Sequence, residues 1–160
     1  MIVLKILYIE DELDKANQVK MAITNYLNDV DVCIKMSYTT GIIAIKKNCY
    51  DVILIDMSLP LYDVKYDSDE DNDFETFAGI DIMKEMDRIG NKTAVIVITA
   101  FDVLGKNDKQ VNIKQLDKDI KNEFGNQYLG IVQYDSSSLE WHQILINYIK
   151  KVHDENITSR

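Results

Sequence analysis

The chain has 160 residues, 46% of them apolar and 28% charged, with a formal net charge of −9. That is length enough for one domain with a real core, and a composition ordinary for a soluble globular protein. It excludes a membrane span, since no apolar run approaches the roughly 20 residues required, and the acidic balance argues against nucleic-acid binding through a general basic surface.

In chain order, the first apolar, strand-length run is Ile2–Ile9, which closes on Glu10-Asp11-Glu12. It has no basic leader and no small-residue cleavage site, so it does not read as a signal peptide. Leu13, Ala16, Val19, Ile23 and Leu27 then share one helical face. Further β-branched runs follow at Val30–Met36 and Val52–Ile55; the latter ends on Asp56, four residues before the single proline, Pro60. Ile80, Met83 and Met86 recur at helical spacing, Ala94–Thr99 is a fourth strand, Tyr128–Tyr134 a fifth, and Leu145, Tyr148 and Val152 mark a last helix. The strands are continuous apolar runs rather than alternating ones, as expected of parallel strands covered on both faces. Five strand–helix repeats predict an α/β sandwich around a five-stranded parallel sheet, a doubly wound flavodoxin-like fold. Right-handed crossovers place the C-terminal ends of its strands on one edge. Cys33 and Cys49 lack metal-type spacing and are expected as reduced core residues.

That edge collects the acids. In open α/β sheets the ligand crevice lies outside the strand ends where strand order reverses. If the first and third strands are neighbours there, Glu10, Asp11 and Asp56 converge. Clustered carboxylates repel unless a cation sits among them, and a hard divalent ion such as Mg²⁺ suits all-oxygen ligands. Singly, each acid has a simpler reading: Asp11 or Glu12 caps the next helix, and Asp56 opens a turn. Thr99, at the end of the fourth strand, would present a hydroxyl beside the same site.

These residues resemble the response-regulator receiver domains of two-component signalling. ILYIEDE is similar to the acidic-pair motif, DVILIDMSLP to the phosphoacceptor strand with its proline, and VIVITA to the fourth strand with its switch threonine. The resemblance covers Ile2 to about Val152. It implies that Asp56 accepts a phosphoryl group from a histidine kinase or phosphotransfer protein. Glu10, Asp11, Asp56 and the Ser58 backbone carbonyl would hold Mg²⁺, and Thr99 would bind a phosphoryl oxygen. It also implies a cytoplasmic, non-enzymatic module that signals by binding another protein.

The chain departs from that pattern in four places. The family's fifth strand ends in lysine, whereas here GIVQYDSSS puts Tyr134 at the lysine position and Gln133 one residue away. The family glycine that follows the proline is matched by Gly79, which implies an insertion at about 61–78. That segment carries seven acids and one lysine, and so supplies −6 of the net charge. It fails as an EF-hand, with Asn72 at the sixth position from Asp67 and Ala78 at the twelfth; a solvated loop or a docking element remains. The segment at about 101–127 is long for the family, with Gly125 as a helix stop. Only HDENITSR is expected beyond the last helix, with no output domain. The chain is therefore expected to be a single receiver-like domain acting as a stand-alone receiver; the alternative is a phosphorylation-independent interaction module. A phosphatase with an aspartate nucleophile is disfavoured, since Ser58 stands where its second aspartate belongs.

Overall fold

The computed structural model describes residues 3–63, 74–75, 78–100, 103–104 and 111–159. In chain order the elements are β1 (Leu4–Ile9), α1 (Leu13–Tyr26), β2 (Val30–Lys35), α2 (Tyr38–Lys47), β3 (Val52–Ile55), β4 (Leu59–Pro60), β5 (Phe74–Glu75), α3 (Ala78–Arg88), β6 (Ala94–Thr99), β7 (Val103–Leu104), β8 (Val111–Asn112), α4 (Ile113–Phe124), β9 (Tyr128–Gln133) and α5 (Glu140–Ser159). The five predicted runs are β1, β2, β3, β6 and β9, with Ile2 outside the described residues. They form one sheet in the order β2-β1-β3-β6-β9, parallel throughout. The two-residue pairs β4–β5 and β7–β8 are antiparallel and separate from it. This is the flavodoxin-like doubly wound sandwich.

Pleating sorts the strand residues between two cores. Leu4, Ile6, Tyr8, Leu54, Ile96 and Ile98 face α1 and α5; Leu7, Ile9, Ile53, Ile55, Val95 and Val97 face α2, α3 and α4. Because both faces are covered, all of β3 is buried. At burial worth about 25 cal/mol per Å² of apolar surface, these paired layers are the main force holding the strand ends in register.

Three expectations need correction. Leu13 is 58% exposed rather than on the buried face of α1, and Lys15 is buried in its stead. Both cysteines are free, but Cys33 is half-buried and Cys49 exposed, so neither is a true core residue. His153–Ser159 is not a tail beyond the last helix, because α5 runs to Ser159. Of the acidic segment, Leu61–Asp63 is described and leans on α2: Thr39 donates to the Leu61 carbonyl at 2.7 Å and Thr40 to Asp63 at 3.0 Å. Residues 64–73 and 76–77, with most of its acids, lie outside the described residues. In the 101–127 segment, α4 is capped by Asn112 and ends where Gly125 takes φ 66°, a left-handed conformation that costs glycine little.

Candidate functional site

Parallel pairing of β1 with β3 brings the acids together. Ile9 lies opposite Ile55, and the Asp56 amide extends the ladder by donating to the Ile9 carbonyl at 3.0 Å. Glu10 and Asp56 therefore leave the sheet side by side at the crevice where strand order reverses. One carboxylate oxygen from each of Glu10, Asp11 and Asp56 lies within 4.8 Å of the others. Glu10 and Asp56 are buried, and Asp11 is half-buried. The capping reading of Glu12 does not hold: it sits at the N-cap of α1 but its side chain makes no capping bond. Asp56 is followed by a bend, and Ser58 lies half-buried within it.

Electrostatics mark the cluster as strained. Burial raises the Asp56 carboxyl well above the usual carboxylate range; Lys15 opposes the shift, while Glu10 and Asp11 add to it. Asp11 is pushed up to about 6, first by burial and then by the Glu10 charge. Asp56 Oδ1 is buried with no hydrogen-bond partner among the described residues. A buried carboxylate oxygen without a hydrogen bond, beside two further carboxylates, is a donor set that fits a hard divalent cation.

Thr99 is fully buried at the end of β6, and its carbonyl accepts from the Tyr134 amide at 2.8 Å. Tyr134 reaches the site with its ring, which lies against Trp141 at 5.0 Å between centroids. Gln133 is exposed. Gly79, at the start of α3, packs onto the backbone of Asp56. A Cβ there would stand 3.2 Å from the Asp56 carbonyl oxygen and 3.1 Å from Met57 Sδ.

The residue that sequence reasoning missed is Lys15. Its ammonium ion-pairs with Glu10 and lies 3.5 Å from Asp56 Oδ1, with the side chain 2% exposed. It also donates to the Ile98 carbonyl at 3.3 Å and stands 5.9 Å from the centre of the Tyr134 ring. Burial pulls its pKa down, but Asp56 and Glu10 outweigh that and raise it. The Tyr8 hydroxyl donates at 2.9 Å to Glu10 Oε1, the same oxygen that pairs with Lys15. The signal was present: Lys15 shares the 15-19-22-23 face with Val19, Ala22 and Ile23, where a lysine interrupts an otherwise apolar stripe.

A parallel sheet in this order, with acids ending its first and third strands and a threonine ending the fourth, is the architecture of response-regulator receiver domains. The chain resembles them across nearly its whole length. It matches the receiver domain of the Francisella response regulator 1452 with a TM-score of 0.64 at 19% identity, covering 96% of this chain and 98% of that one. It matches a response regulator receiver domain protein from Clostridium thermocellum with a TM-score of 0.64 at 22% identity, covering 99% and 100%. In sequence it is 29% identical over 150 residues to the Detocs response regulatory protein DtcB of Enterobacter cloacae, covering 93% of this chain and 100% of that one. No family model matches the chain.

Proposed function

We propose that the protein is a stand-alone receiver that accepts a phosphoryl group on Asp56 and signals through another protein. The observation that carries this is the meeting of Glu10, Asp11 and Asp56 at one sheet edge, with Asp56 Oδ1 buried without a hydrogen bond among the described residues and the Lys15 ammonium 3.5 Å from it. The likeness to receivers and to a response regulatory protein supports it. In the reaction an Asp56 carboxylate oxygen attacks phosphorus. With acetyl phosphate as donor, the bond from phosphorus to the bridging oxygen breaks and acetate leaves with its electron pair. An acyl phosphate remains on Asp56, and charge balances without a proton. Glu10, Asp11, Asp56 and the Ser58 carbonyl would hold Mg²⁺, which screens negative charge between nucleophile and donor. Thr99 offers its hydroxyl to a phosphoryl oxygen. The donor in the cell is a histidine kinase or phosphotransfer protein, and the setting is the cytoplasm. No described helix is long and apolar enough to cross a membrane. The domain organisation we propose is one receiver, with the acidic segment at about 61–78 as an insertion and a lengthened segment at about 101–127.

The buried ion pairs of Lys15 favour one other reading, an interaction module whose site is closed without phosphate. Intact-protein mass after incubation with acetyl phosphate and Mg²⁺ separates the two. We expect one added phosphoryl group, dependent on Mg²⁺ and absent from Asp56→Asn. An unlabelled wild-type chain, under conditions that label an ordinary receiver, would leave the closed module.

A further inference from the structure

We propose that Lys15, reaching in from α1, is the cationic residue that holds the Asp56 carboxylate before transfer and the phosphoryl oxygens after it. The inference rests on the phosphoacceptor reading of Asp56.

An ammonium is costly to bury, and its neighbours on the α1 face, Ala16, Val19, Ala22 and Ile23, are apolar. Its place is nonetheless defined by three oxygens at three strand ends: Glu10 after β1, Asp56 after β3 and the Ile98 carbonyl in β6. Among the described residues, Lys15 is the cation that ion-pairs with Asp56. The end of β9 supplies none, since Gln133, Tyr134 and Asp135 follow one another there. Transfer changes Asp56 from a monoanion to an acyl phosphate dianion. The attraction of an adjacent ammonium therefore grows as the reaction proceeds, which is the differential stabilisation that speeds a step. A lysine stem is flexible enough to carry the ammonium from a carboxylate oxygen to a phosphoryl oxygen while α1 stays seated. Glu10 and Tyr8 form the buried backing from which it moves.

The test compares initial rates of acetyl phosphate labelling, read as intact mass with Mg²⁺ present, across four chains. Relative to wild type, Lys15→Met should label about a hundred- to a thousandfold more slowly, in line with removal of one group that stabilises transition-state charge. Lys15→Arg, which keeps the charge, should retain part of the rate. Lys15→Met combined with Tyr134→Lys, which returns an ammonium from the β9 side, should recover much of it; a purely structural role would not be rescued this way. A second measurement does not need the methionine variant to fold. The ¹⁵Nζ resonance of Lys15 in the wild-type chain, assigned by its loss in Lys15→Arg, should shift on phosphorylation. Labelling of Lys15→Met at or above the wild-type rate, with Asp56→Asn still blank, would overturn the role of Lys15 and leave the acceptor reading intact; so would an unmoved resonance in a labelled chain. No label on wild-type Asp56 would overturn both.

Discussion

Asp11 carries a cost that metal would relieve. Its carboxyl stands near 6 in the fold against 3.8 in an unstructured chain, chiefly through burial and the neighbouring Glu10 charge. The folded state therefore binds this proton more tightly than the unfolded state, and the contribution to stability falls as pH rises from about 4 to about 6. In Mg²⁺-free buffer, Asp11→Asn should gain stability over wild type across that window, read by denaturant titration at several pH values. Saturating Mg²⁺ should reverse the order, because only the wild-type site binds it well. A difference that stays flat with pH would show that Asp11 is not the titrating group. At this scale the sequence was legible where charge sat on a strand end. Glu10, Asp11, Asp56 and Thr99 all emerge at one edge of the sheet because strand ends are fixed by the fold class. For Lys15 the sequence held a signal, a lysine within an apolar helix stripe, but not its partners, and without them a charged residue on a helix reads as solvent-facing.

Among elements, α3 begins against the backbone of Asp56. Gly79 lets its first turn approach so closely that an added Cβ would stand 3.1 Å from Met57 Sδ and 3.2 Å from the Asp56 carbonyl oxygen, tighter than an ordinary contact. Gly79→Ala should force the two apart, with an overpacking cost of about 1–3 kcal/mol. Thermal unfolding would show that loss, and acetyl phosphate labelling should slow with it, since the shift falls on the acceptor's own backbone. This glycine was legible only through the resemblance to receiver domains, which matches Gly79 to the family glycine after the proline across a long insertion. Helical periodicity groups Leu13 with the apolar face of α1, yet Leu13 is exposed. As the first residue of the helix it projects past the sheet edge into solvent, while the next turn supplies the packed face. The last helix was read too short because HDENITS is polar, yet α5 needs only one covered face to continue.

For the whole molecule, charge is the controlling variable. Residues 64–73 hold five acids and one lysine within a chain of net charge −9. Replacing them with a neutral Gly-Ser linker should speed labelling by the dianionic acetyl phosphate, and should weaken the acceleration by salt that screening gives the wild type. Rates measured across a NaCl series check this; equal slopes would show that the segment does not influence donor approach. Fold class was readable because hydrophobic periodicity reports layers directly, whereas an acidic run reports only its charge. The buried contacts of Lys15 have a last consequence, which concerns time. Glu10, Asp56, Thr99 and the Lys15 ammonium are seated by strands and buried in the resting fold. The groups proposed to meet a phosphoryl donor therefore stand together around Asp56 before one arrives. On the proposed function, what remains for the moment of transfer is the entry of donor and Mg²⁺ and the swing of the Lys15 stem toward the incoming phosphorus.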